Sequence, residues 1–268
     1  MNLRVLVNPK EAEGHPLELF FVGLVYAALS VFLSLWLFPA HASIILIGMT
    51  VAASAPIVYH IISLEAKKDT FLRGERSLLI EHKKAILVFT FLFLGFVAGF
   101  TISFLFLPEA SSAKAFSAQT DTIATVTSPT GGFAMNEFIV AVLKNNFRVL
   151  FFTTILSILF GTGGILILAW NASVMSVAIG NVISQKVAVG SGHAVAVASS
   201  FSKYFIHGVP EIIAYLIGGV AGGILFHAII RKVWSKQLFL DVFILLSLAS
   251  ALLVLAAAIE AYVTPFVA

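Results

Sequence analysis

"AILVFTFLFLGFVAGFTISFLFL", residues 85–107, runs 23 residues without a charge. A bilayer core of about 30 Å is crossed by roughly 20 apolar residues of α-helix. A run this long cannot face water on any side, so the solvent is lipid. The chain repeats the pattern at Leu17–Phe38 (closed by Pro39), Ala42–Ser63, Ala85–Leu107, Phe147–Trp170, Asn171–Val189, Pro210–Ile230 and Leu238–Val263. Of its 268 residues only 11% are charged, where soluble domains carry about a quarter. The expectation is an all-α, polytopic transmembrane helix bundle of six to seven spans. The runs are too long and too evenly apolar for the alternating strands of a β-barrel, which are about ten residues each.

Between the runs, "EAKKDTFLRGERSLLIEHKK" (65–84) mixes charges with Leu78, Leu79 and Ile80. It reads as an interfacial amphipathic helix or a short helical hairpin. Residues 108–138 form the one sizeable extramembrane segment, too small for a catalytic domain. "GTGG" (161–164) falls in the middle of the expected fourth span, and Pro56 within the second predicts a kink. Ala194–Ile206 is too short to cross and reads as re-entrant or interfacial before the HGVPE element. Pro210 then opens the sixth span, since proline suits a first helical position. The expected division is 1–84, a two-span hairpin with a basic loop, and 85–268, the main transmembrane domain.

Lys and Arg set the orientation. Arg4, Lys10, Lys67, Lys68, Arg73, Arg76, Lys83, Lys84, Arg231, Lys232 and Lys236 fall on one side, and Lys114, Lys144, Arg148, Lys186 and Lys203 on the other. This predicts a multi-pass cell-membrane protein with a cytoplasmic N-terminus, its first helix a retained anchor. The net charge of +3 thus reports topology and not nucleic-acid binding. Cysteine is absent from the sequence, which excludes disulfides and thiol chemistry.

On this topology Asn145, Asn146, Arg148, His207, Glu211 and Glu260 reach one depth in the outer half of the bundle. Ionisable groups in lipid usually face the bundle and pair, so Arg148 is expected between Glu211 and Glu260. The competing reading of Glu211 is plain helix capping, an acid in the first turn after Pro210. Asn171 and Asn181 read as helix stitching, and His60, His193 and His227 as isolated. Gly161, Gly163 and Gly164, and the G-x-x-x-G of Gly219 and Gly223, are helix-packing candidates, within one chain or in a homodimer. Metal ligands at H-E-x-x-H spacing and a nucleophile elbow are both missing. No cofactor, metal or enzymatic activity is therefore expected, with a metal-dependent hydrolase on His207 and Glu211 the weakest option.

"NNFRVLFFTTILSILFGTGGILILAWNA" (145–172), "HGVPE" (207–211) and "AAAIEAYVTP" (256–265) together resemble the stage II sporulation protein M family of integral membrane proteins, over about residues 85–265. One departure is Asn171-Ala172, where the family pattern has Asn-Gly. The resemblance marks Asn145, Asn146, Arg148, His207, Gly208, Glu211 and Glu260. It implies a non-enzymatic membrane protein that works with other membrane or cell-envelope proteins. A scaffold or membrane-remodelling component leads on this footing. A transporter or channel using the polar cluster as an ion, proton or substrate site is the alternative. A scaffold would have Arg148, Glu211 and Glu260 mutually paired and dry, and a transporter would have them lining a water-filled cavity with one group left unpaired.

Overall fold

The computed structural model describes residues 15–71, 78–127 and 135–262, except the side chains of 66–71, 78–81, 125–127, 135–136 and 207. Among these it is all-helical, with α1 Pro16–Leu37, α2 Ala42–Phe71, α3 Leu78–Phe106, α4 Glu109–Ala115, α5 Ser117–Thr127, α6 Met135–Phe160, α7 Gly164–Ala188, α8 His193–Arg231 and α9 Lys236–Tyr262. Seven of the helices hold stretches long and apolar enough to cross a membrane. Arg4, Lys10, Arg73, Arg76 and Val263 lie outside the described residues, as do the side chains of Lys67 and Lys68.

Prolines and glycines set the boundaries. Pro16 occupies the first turn of α1, where its missing N–H costs nothing. Pro108 disfavours helical backbone at Leu107, and α3 ends one residue earlier. Gly161 and Gly190 have φ of +71° and +89°, a region glycine enters without a Cβ penalty, and each lies in a turn between helices. The 161–163 turn corrects the expected fourth span. "GTGG" does not lie mid-helix: it separates α6 from α7, and Ser157 Oγ receives the Gly164 N–H at 3.0 Å. Hydropathy ran two helices together because the turn itself is apolar. The fourth span therefore begins near residue 135 and the fifth has its full 25 residues.

Two further expectations change. Ala194–Ile206 is not a separate short helix but the first third of the 39-residue α8, about 58 Å long at 1.5 Å per residue, and it precedes the apolar stretch Gly208–Arg231. Lys186 Nζ of α7 donates to Ser199 Oγ at 2.9 Å, which ties this extension down. Pro210 is inside the helix, not at its start. It has no N–H to give the Ile206 carbonyl, but one lost bond did not stop the helix. Of the mixed-charge segment 65–84, residues 65–71 prolong α2 and 78–84 open α3.

Packing is closest where side chains are smallest. α1 lies on α3 across the expected 84/85 division: a Cβ on Gly95 would stand 2.9 Å from Leu24 N and 3.0 Å from Gly23 Cα. The apolar core runs through all seven long helices. Within it the Gly208–Arg231 part of α8 is the most enclosed span and α6 the least.

Candidate functional site

The polar residues gather at the end of the bundle where α6 enters and α9 finishes. Asn146 lies 11 residues into α6 and is 4% exposed. It faces α8, where Glu211 and Tyr215 sit one turn apart. Its Nδ2 donates to Glu211 Oε1 at 2.6 Å, and its Oδ1 accepts from the Tyr215 hydroxyl at 3.0 Å. Both partners fix the amide orientation: a carboxylate only accepts and a phenol can donate. Asn145, exposed, makes a longer 3.5 Å contact to Asn146 Oδ1. Glu260, near the end of α9, is half-buried and close enough to repel the Glu211 carboxylate.

Arg148 does not join them, contrary to the sequence expectation. It is exposed, because two residues along a helix turn it about 200° from Asn146. Neither Glu211 nor Glu260 forms an ion pair among the described residues. Asn146, a neutral amide, stands where the cation was expected. The capping account of Glu211 also lapses, since the residue lies 18 positions inside α8. His207 is on α8 four residues before Glu211, with its side chain outside the described residues. Gly208 lies against Met175 of α7, which a Cβ would meet at 2.9 Å.

The packing glycines are displaced by one position from the expected motif. Gly218 and Gly222 turn toward α6, and a Cβ on Gly222 would stand 2.5 Å from the Thr154 carbonyl oxygen. Gly219 has room, with its nearest neighbour at 3.7 Å, and Gly223 packs on Ile62 of α2. Gly161 lies under the Phe226 ring, Gly163 against the Leu156 backbone and Gly164 against Ser157. All of these contacts are within one chain.

Four polar features were missed by the sequence reading. Tyr215 completes the Asn146 network, and its i+4 spacing from Glu211 was the available signal. At the opposite end Glu65 and His82 are wholly buried, with Oε2 and Nδ1 2.6 Å apart. Nearby along α2, Ser63 Oγ lies 2.9 Å from His227 Nε2, while His227 Nδ1 lies 3.0 Å from the Gly223 carbonyl oxygen. The carbonyl can only accept, so Nδ1 carries the proton and Nε2 accepts from Ser63. His227 is therefore not isolated. Asp241, buried near the start of α9, accepts from Gln237 Nε2 at 2.7 Å. No group of three or more His, Asp or Glu able to hold a metal occurs among the described residues.

The sequence model of one protein family, SpoIIM, Stage II sporulation protein M, matches residues 19–265, nearly the whole chain. The match starts well before residue 85, where the motifs alone had placed it, and takes in the first two spans. No curated protein and no solved structure matches the chain.

Proposed function

The chain belongs to the stage II sporulation protein M family, and on that footing we propose that it is a proton carrier of the cell membrane whose binding site is the Glu211–Glu260 pair. The observation behind this reading is that two carboxylates from α8 and α9 come together with no cation partner among the described residues. Two like charges in a poorly solvated place repel, and a bound proton or small cation relieves the repulsion. Asn146, itself held by the Tyr215 hydroxyl, fixes Glu211, so the binding geometry exists before the proton arrives. Pro210, next to Glu211, withholds one backbone N–H from the Ile206 carbonyl while α8 runs on unbroken. The chemistry breaks no covalent bond of a substrate, so the reading is non-enzymatic. In this reading the Lys/Arg bias puts the N-terminus in the cytoplasm and the pair near the outer surface.

A scaffold role, gathering other membrane or cell-envelope proteins, has one observation in its favour. Lys144 and Arg148 are exposed one turn apart on α6, a basic stripe available to an acidic partner. Purified protein in liposomes with a trapped pH dye separates the two. The carrier reading expects a proton flux above that of empty liposomes, abolished by Glu211→Gln. Correctly inserted wild-type protein that moves no protons would leave the scaffold.

A further inference from the structure

The turn that joins α8 to α9 carries three bases within residues 231–236, Arg231, Lys232 and Lys236, all of them exposed. None forms an ion pair among the described residues. The sole acid from 228 to 244 is Asp241, which is buried and accepts from Gln237. The turn itself is hydrogen-bonded on both sides. Lys232 N–H donates to the Ile229 carbonyl at 3.3 Å and Val233 N–H to that of Ala228 at 3.1 Å, which closes α8. Ser235 Oγ accepts the Leu238 N–H at 3.0 Å and opens α9. Lys232 has a φ of +55°, in the left-handed region where a helix end usually carries glycine. A lysine there forgoes the easier backbone of glycine and keeps a charge at the tip. Beside the bases, the rings of Trp234 and Phe239 stack 5.6 Å apart at 12°, each about half exposed. Ile230 of α8 and Phe243 of α9, at 66% and 68% exposure, continue the apolar surface along the two helices.

We propose that this turn binds the headgroup of an anionic phospholipid of the leaflet it faces. Packed helices lie about 8–10 Å apart, so Arg231 and Lys232 at the end of α8 and Lys236 at the start of α9 flank a single headgroup. Their guanidinium and ammonium groups donate to its phosphate oxygens. The Trp234–Phe239 stack stands at the level of the lipid glycerol, because aromatic rings favour the boundary between headgroups and hydrocarbon. Ile230 and Phe243 lie against the acyl chains. Charge decides which lipid is taken. A zwitterionic headgroup brings its own cation to three bases that already lack a counter-charge, and a net negative one does not. A soluble acidic protein would satisfy the bases but leave the exposed rings and the apolar strip unmatched.

The test uses brominated lipids, which quench tryptophan fluorescence on contact. The tryptophans are Trp36, Trp170 and Trp234, and Trp36→Phe with Trp170→Phe leaves Trp234 as the sole reporter. The full chain is placed in vesicles of phosphatidylcholine and phosphatidylglycerol, with bromine on one lipid or on the other. The expected result at Trp234 is a preference for phosphatidylglycerol of roughly fivefold, the effect of a single base at an anionic surface. A chain with Trp36 alone, near the end of α1 at the opposite side of the bundle, should show no preference. Arg231→Gln, Lys232→Gln and Lys236→Gln together should erase the preference at Trp234. Lys232→Gly, which suits the left-handed backbone, keeps a folded comparison and should lower it. Equal quenching by the two lipids at Trp234, an equal preference at Trp36, or a preference unchanged in the folded variants would overturn the proposal.

Discussion

Asn146 is the residue on which the site depends most, because it is bonded at both ends of its amide. Asn146→Ala leaves the Glu211 carboxylate without its donor and the Tyr215 hydroxyl without its acceptor. Polar contacts between membrane helices are worth about 0.6–2 kcal/mol each. The expected loss is about 1–3 kcal/mol, read as a lower midpoint in thermal unfolding in detergent. Tyr215→Phe removes one of the two bonds and should cost about half as much. Arg148→Ala, at an exposed position, is expected to stay within about 0.5 kcal/mol of wild type. A destabilisation by Arg148→Ala as large as that of Asn146→Ala would restore the arginine to the cluster.

At the scale of the helix, spans were legible and their ends were not. Hydropathy located seven helices long and apolar enough to cross, because lipid demands apolar length and little else meets that demand. It could not see the turn at 161–163, where neither charge nor polarity marks the change of direction. The signal there is Gly161, whose left-handed φ ends α6, and sequence alone does not distinguish it from a packing glycine. The reverse error occurred at Gly208 and Pro210, two residues that suggest a break inside what is one helix. The depth argument set Asn146, Glu211 and Glu260 at one level, and Asn146 and Glu211 are hydrogen-bonded. It misplaced Arg148 because depth says nothing about which way a side chain faces. Glycine substitutions test the packing directly. Gly222→Val drives a side chain into the Thr154 backbone and should cost at least the 1–3 kcal/mol typical of overpacking, seen as loss of monodisperse protein on size exclusion. Gly48, with open space around it, should accept alanine with no loss, and with a gain of up to about 1 kcal/mol from helix propensity.

For the whole molecule, the bundle has polar groups at both ends, and between them Thr153 and Thr154 of α6 bond back to the Val149 and Leu150 carbonyls. At one end are Asn146, Glu211, Tyr215 and Glu260, and at the other Ser63, Glu65, His82 and His227. The basic residues predict which end faces the cytoplasm. Because the chain has no cysteine, single-cysteine labelling can check it without background. Ser191→Cys, in the turn between α7 and α8, should react with a membrane-impermeant maleimide added to intact cells. Ser235→Cys, in the turn between α8 and α9, should react only after the membrane is opened. The opposite pattern would invert the bundle. The central claim is that the Glu211–Glu260 pair takes protons across the membrane. The most direct measurement is the current evoked by a pH jump across a protein-loaded bilayer, wild type beside Glu211→Gln. A current in wild type that follows the proton gradient and vanishes in Glu211→Gln is the predicted result. A Glu211→Gln current equal to wild type, or no current in either with protein inserted and folded, would contradict it.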